Sequence, residues 1–170
     1  MDHFARLGLP AALELEPATL DRVYFAAQRQ WHPDRFVARP PEERARASTE
    51  AAGLNDAYRI LKDPLSRAFY LAELNGVELP GDGKTIDDPD LLMEALEARE
   101  ALHEAATPEA VDALAALARQ DVQQALNGLG TLFLRHDNAA IRKALLRLRY
   151  LDKFAEEARA RRTNLQRVKA

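Results

Sequence analysis

Apolar residues recur through the first half of the chain at intervals of three and four, the period of an amphipathic helix. One apolar stripe follows Pro17 and stops before Pro33, and a second follows Pro41 and continues to Lys62. Proline is favoured in the first turn of a helix and ends a helix that reaches it. The pattern therefore predicts two helices over these segments. Their stripes consist of Leu20, Val23, Tyr24, Ala27 and Trp31, and of Ala47, Ala51, Leu54, Tyr58 and Leu61.

A short connection, HPDRFVARP, joins the two predicted helices. Its length indicates an antiparallel hairpin in which the two stripes face each other and the charged connection lies exposed at the tip. Pro33 fixes its own φ, lacks an amide donor and disfavours helical geometry at the preceding residue. We therefore expect the His32 imidazole and the Asp34 carboxylate to be presented outside the helices.

The second half is separated from the first by the segment NGVELPGDGKTIDDPD, which contains three glycines, two prolines and five acidic residues. Beyond it, three long helical patterns are interrupted near Thr107-Pro108 and near residues 136–138. Asp88 and Pro89 are typical of an N-cap and a first helical position. The predicted fold is all-α, with an N-terminal domain over 1–75, a linker over 76–87 and a C-terminal three-helix domain over 88–170.

The first helix of the second half has more apolar positions than one buried stripe requires. A stripe of Leu91, Ala95, Ala98 and Leu102 would face the core. Leu92, Met93 and Leu96 then belong either to an unusually wide buried face or to an exposed apolar patch, and an exposed patch marks a site for a partner. The sequence leaves both interpretations open.

Composition narrows the possible functions. The chain is 47% hydrophobic and 30% charged, which predicts a soluble globular protein, and its net charge of −3 gives no indication of nucleic-acid binding. The absence of cysteine excludes intrinsic disulfides, thiol catalysis and cysteine-ligated metals or clusters. Neither a signal peptide nor a membrane span is recognisable, so the expected location is the cytoplasm.

Three further motifs are given structural interpretations. GDGKT, residues 81–85, lacks the earlier glycine and the preceding strand of a phosphate-binding loop and is interpreted as linker. The four histidines, His3, His32, His103 and His136, are too scattered to predict a metal site. The basic C-terminus is expected to complement the dipole of the last helix.

The tripeptide His32-Pro33-Asp34 between two amphipathic helices, with Tyr24 before it and NDAYRILKDPLSRAFYL after it, resembles the J-domain family over residues 2 to 75. This resemblance implies that the second helix of the domain and the His-Pro-Asp loop dock on a seventy-kilodalton heat-shock chaperone and trigger its ATP hydrolysis. Tyr24 also falls on the apolar stripe, so a core role for it stays open. The implied docking residues are Arg22, Tyr24, Arg29, His32, Pro33, Asp34 and Arg35.

One segment departs from that family. Many J domains carry lysines and arginines just after the tyrosine of this helix, whereas here residues 25–28 read FAAQ. We expect weaker electrostatic steering toward an acidic partner and a dedicated rather than a general chaperone.

The acidic boundary, the LLMEALEARE helix and the final helix with YLDKF extend the resemblance over essentially the whole chain, to the HscB family of iron–sulfur cluster assembly. This implies that the C-terminal bundle binds an IscU-type scaffold, that the J domain recruits an HscA-type chaperone, and that the protein holds no metal or cofactor itself. The implied scaffold-binding residues are Leu92, Met93, Leu96, Glu97, Glu100 and Phe154.

Three alternatives compete with this hypothesis. In the first, the protein is a J-domain co-chaperone for a different client and chaperone. In the second, it is an enzyme that uses His32 and Asp34 as an acid–base pair. In the third, it is only a structural helical assembly protein. An enzymatic role is disfavoured because an exposed hairpin tip offers no pocket, nucleophile or metal to support the pair. We therefore predict a co-chaperone without catalytic chemistry of its own.

Overall fold

The computed structural model describes residues 2–81 and 87–168, and every regular element within these ranges is helical. The prediction of an all-α fold is confirmed. The helices are α1 (His3–Arg6), α2 (Pro17–Trp31), α3 (Pro41–Lys62), α4 (Pro64–Leu74), α5 (Pro89–Glu104), α6 (Pro108–Leu134) and α7 (Asn138–Val168), with a 3-10 turn at Pro33–Phe36 between α2 and α3.

Prolines and capping side chains determine where these helices begin. The first residue of α2, α3, α4, α5 and α6 is a proline, whose missing amide is no loss at that position. The Asp88 carboxylate accepts a hydrogen bond from the Leu91 amide at 3.0 Å, and the Thr107 hydroxyl accepts one from the Ala110 amide at 3.2 Å. The boundaries predicted for α2, α3 and the three C-terminal helices are therefore confirmed.

The chain divides into two compact units, residues 1–71 and 72–170. The division falls within α4. The linker expected over 76–87 stays a prediction, because residues 82–86, with most of the GDGKT motif, lie outside the described residues. No helix in the described part of the chain is both long and apolar enough to cross a membrane.

The first unit is built on the hairpin of α2 and α3, with α1 packed against α3. Its apolar core includes Phe4, Leu20, Leu54 and Leu61, each at most 3% exposed. Arg67 at the start of α4 is also buried, and its guanidinium donates hydrogen bonds to the carbonyl oxygens of Leu13 and Leu61. Burial lowers the pKa of Arg67. This side chain thus links α4 to the end of α3 and to the segment before α2. It provides the Leu13 and Leu61 carbonyls with a donor inside the unit.

The second unit is a bundle of α5, α6 and α7. Near the start of α5, Asp90 pairs with Lys143 of α7 at 3.3 Å, and further along α5, Arg99 pairs with Glu157 of α7 at 3.0 Å. Because the later residue of α5 pairs with the later residue of α7, the two helices run parallel. Arg162 pairs with Asp112 at 2.8 Å near the start of α6, which therefore runs antiparallel to α7. This is the up-down-up order expected of three consecutive helices with short connections.

Candidate functional site

The His-Pro-Asp tripeptide forms the turn between α2 and α3. His32 leaves the helix with φ −60° and ψ 126°, and the 3-10 turn Pro33–Phe36 follows directly. All three residues of the tripeptide are exposed, and the Asp34 side chain is 86% accessible. The predicted exposure of this loop is confirmed, whereas the 3-10 turn itself was not anticipated.

The two polar side chains of the tripeptide are arranged around its backbone. The His32 Nδ1 accepts a hydrogen bond from the Asp34 amide at 3.3 Å and lies 3.6 Å from the Asp34 carboxylate. The turn therefore presents an imidazole and a carboxylate side by side at the surface, an arrangement suited to recognition by a polar partner.

Aromatic and cationic side chains fix the base of the turn. The rings of Trp31 and Phe36 stack with centroids 6.0 Å apart and planes inclined by only 5°, and the Arg46 guanidinium lies 5.6 Å from the centroid of the Trp31 ring. Arg35 donates a hydrogen bond to the Arg29 carbonyl at 2.8 Å, at the C-terminal end of α2. These contacts join α2, the turn and α3, so the orientation of the tripeptide depends on all three.

Tyr24 lies at the α2–α3 seam and is half-buried. Its ring stacks on that of Tyr58 with centroids 3.9 Å apart, and its hydroxyl donates to the side-chain Oδ1 of Asn55 at 2.9 Å. The Tyr58 hydroxyl donates in turn to Asp21 at 2.7 Å. Tyr24 thus packs in the seam, and its half-exposed edge is what remains for a partner.

A groove of about 500 Å³ runs beside the turn. Phe25, Gln28, Arg29, His32 and Arg35 line it. Arg29, His32 and Arg35 were predicted from the resemblance, whereas Phe25 and Gln28 were not. The sequence contains one indication that Phe25 is exposed, because this aromatic residue does not fall on the apolar stripe of α2. Arg22 is exposed seven residues before Arg29, on the same helix face.

The second candidate surface is the outer face of α5. Leu91, Ala95 and Leu102 are buried, as the predicted core stripe requires. The neighbouring apolar side chains are not, since Leu92 is 36%, Met93 58% and Leu96 51% exposed. Of the two interpretations that the sequence allowed, the exposed patch is the one that the structure has. We call these three residues, with the exposed Glu97 and Glu100, the α5 patch.

Phe154 requires a correction. It was expected among the scaffold-binding residues, but its side chain is only 5% exposed and packs in a core cluster with Leu102, Val111 and Leu151. The reason is the register of α7, which turns Phe154 toward the same side as Leu151 and Ala158. Phe154 therefore supports the bundle from inside and is not part of the α5 patch.

The basic C-terminus performs a local structural role in its described part. Arg161 donates hydrogen bonds to the carbonyl oxygens of His103 at 2.9 Å and Ala105 at 3.1 Å. These carbonyls lie at the C-terminal end of α5, where helical partners are lacking. Cationic side chains here complement the dipole of a neighbouring helix rather than only their own.

Comparisons with known proteins find the same family for the second unit and for the chain as a whole. Residues 87–159 match the family model described as the HSCB C-terminal oligomerisation domain. A co-chaperone protein HscB homolog from Burkholderia multivorans is 38% identical over 167 residues, covering 96% of this chain and 95% of the relative.

Two solved structures extend the similarity to the fold. The chaperone HscB from Vibrio cholerae superposes with a TM-score of 0.82 at 32% identity, covering 97% of this chain and 99% of the other. The human co-chaperone protein HscB superposes with a TM-score of 0.86 at 27% identity, covering 94% and 81%.

Proposed function

The chain belongs to the HscB family of co-chaperones, and from this premise we propose that it couples an HscA-type ATPase chaperone to an IscU-type iron–sulfur scaffold. It binds the scaffold, delivers it to the chaperone and stimulates ATP hydrolysis there. The iron–sulfur cluster is cargo, held by the scaffold. The relatives are co-chaperones rather than enzymes, and we assign no catalytic residue to this chain.

The chaperone docks on the first unit. We assign this contact to the exposed His32-Pro33-Asp34 turn and to the arginines beside it, with the half-exposed edge of Tyr24. Because the turn is fixed by the Trp31–Phe36 stack, little ordering of the backbone is needed on binding. The assigned residues are Arg22, Tyr24, Arg29, His32, Pro33, Asp34 and Arg35.

The scaffold docks on the α5 patch. Leu92, Met93 and Leu96 supply apolar area at its centre, and Glu97 and Glu100 supply charge at its edge. An apolar centre with a polar rim is the usual composition of a protein interface. Met93 adds adaptability, because its unbranched side chain fits irregular partner surfaces.

The two contacts act together only if they are energetically coupled. Binding of both partners must favour the hydrolysed, client-gripping state of the chaperone more than either contact alone. A two-site adaptor of this kind raises the effective concentration of scaffold beside the chaperone without any chemistry of its own.

The observation that carries this proposal is the exposed His32-Pro33-Asp34 turn between α2 and α3 in a chain of the HscB family. The test is steady-state ATP turnover by purified HscA-type chaperone, alone, with this protein, and with this protein and scaffold. We expect turnover to rise with the protein and to rise further with scaffold. Unchanged turnover in both mixtures would refute the proposal, and a rise that scaffold does not increase would point to a different client.

A further inference from the structure

Phe25 is a large apolar side chain that remains 53% exposed on α2. Its ring is nevertheless restrained, because its centroid lies 5.2 Å from that of Tyr24 and 6.4 Å from that of Tyr58. Tilted aromatic contacts at such distances are favourable and limit side-chain motion. One side of Phe25 is therefore packed on the α2–α3 seam while the other faces solvent.

The groove beside the His-Pro-Asp turn includes this residue. Phe25, Gln28 and Arg29 follow the spacing i, i+3 and i+4, which places them on one face of α2, and His32 lines the groove just beyond the end of that helix. Arg35 enters the same groove from the turn and is held by its hydrogen bond to the Arg29 carbonyl. The surface thus changes along its length from an aromatic side chain to two guanidinium groups.

We propose that Phe25 is a specificity-determining residue for the ATPase chaperone and fits an apolar depression that lies next to an acidic side chain on the chaperone surface. This inference rests on the proposed function and adds the chemistry of the chaperone surface that the groove recognises. The acidic neighbour follows from charge complementarity, since the lining contains two arginines and no acidic residue.

Such a contact distinguishes partners in a way that positive charge alone does not. Lysines and arginines attract any acidic surface, and this attraction is screened by salt. An aromatic ring gains affinity only where the partner offers an apolar depression of matching shape, and a partner that presents polar groups there is rejected by their desolvation. A chaperone without that depression should bind this chain weakly.

The experiment compares full-length variants for binding to, and stimulation of, two chaperones, an HscA-type protein and a general-purpose seventy-kilodalton heat-shock protein. With HscA we expect Phe25→Ala to raise the Kd and the concentration for half-maximal stimulation roughly tenfold, a typical loss for an aromatic anchor. Phe25→Leu should recover most of this loss because it keeps apolar area. Leu117→Ala removes a comparably exposed apolar residue, 60% accessible, from α6 and serves as the matched control.

Phe25→Lys provides a second measurement, the dependence of Kd on salt. We expect it to weaken binding to HscA, to make binding to both chaperones more sensitive to salt, and to narrow the difference between them. Melting temperatures of all variants give the folded fraction to which each Kd is referred. If Phe25→Ala and Phe25→Lys both match the unmodified protein within twofold, the role of Phe25 is overturned.

The same assay separates this inference from the proposed function. Stimulation by the unmodified protein that Asp34→Asn abolishes supports the function, whatever the Phe25 variants do. If the unmodified protein itself fails to stimulate HscA, the proposed function and the role of Phe25 are both overturned.

Discussion

The His-Pro-Asp turn and the α5 patch present their functional groups in opposite ways. The turn displays polar groups whose positions depend on contacts from Trp31 on α2 to Arg46 on α3. The α5 patch displays apolar side chains that a single regular helix places by its own repeat. We infer that partner binding at the turn depends on the position of single polar groups. Binding at the α5 patch depends instead on apolar area, to which each side chain contributes a part.

The sharpest test of this contrast is Asp34→Asn, which changes one charged group in the turn. Because the side chain is 86% accessible, we expect the melting temperature to stay within about 2 °C, as is usual for surface substitutions. Stimulation of HscA should fall by at least about 30-fold, since losing one member of a desolvated charged contact costs roughly 2 to 5 kcal/mol. The measurements are ATP turnover and thermal unfolding followed by circular dichroism.

Asp56→Asn is the matched control, since this aspartate is exposed on α3 and forms an ion pair with Arg59 one turn away. It should leave both readouts unchanged. Stimulation that survives in Asp34→Asn would remove the turn from the docking contact.

Phe154→Ala sharpens the contrast from the other unit. Because Phe154 is in the core, we expect the free energy of unfolding to fall by roughly 3 to 5 kcal/mol, as for other buried aromatic truncations. Scaffold affinity, expressed per folded molecule, should hardly change. Urea denaturation and scaffold titration measure the two quantities, and a loss of affinity in fully folded protein would return Phe154 to the interface.

Met93→Ala and Leu96→Ala should show the reverse. Both side chains are more than half exposed, so the melting temperature should change little. Scaffold binding should weaken by about 1 to 2 kcal/mol for each, because central apolar residues carry much of the energy of an interface. Isothermal titration of scaffold tests this, with Leu117→Ala on α6 as the exposed control. Normal binding in both variants would show that the α5 patch is not the scaffold site.

The smallest expected effect concerns pH at the start of α5. The Leu91 amide and the Lys143 ammonium lower the pKa of Asp88, and a hydrogen bond from Arg142 lowers the pKa of Asp87. The stability contributed by such carboxylates is present above their ordinary pKa, about 3.9, and is lost as pH falls through the lower folded value. Melting temperature should therefore decrease on acidification below about pH 4.

Asp88→Asn keeps an N-cap that does not titrate, so its melting temperature should depend less on pH in this range. Asp152→Asn, at an exposed position of α7, is the comparison variant. Equal acid sensitivity in both variants would exclude Asp88 as a source of the dependence.

Much of the fold follows from local sequence. Pro17, Pro41 and Pro89 each occupy the first position of a helix, as the pattern predicted, and Pro108 begins α6 at the predicted interruption. These positions are predictable because a proline restricts its own backbone and that of its neighbour, whatever the tertiary structure. The His-Pro-Asp turn was recognised for the same reason.

The features that the sequence did not predict depend on which face of a helix packs against its neighbours in the folded protein. Phe154 lies on a long helix with apolar residues on several faces, and only the packing of α5, α6 and α7 determines that it is buried. Phe25 is a similar case with the opposite outcome, since the α2–α3 seam is filled by Tyr24 and Tyr58. Burial of a given aromatic residue is a tertiary property, so the helical period alone does not determine it.

The stack of Trp31 on Phe36 has a consequence for observing the protein at work. Trp31 is the single tryptophan of the chain, and it lies at the base of the His-Pro-Asp turn beside the Arg46 guanidinium. Its emission therefore originates from one place, next to the groups assigned to the chaperone. The natural chain carries its own optical probe, and the arrival of a partner at the turn is expected to be visible without any label.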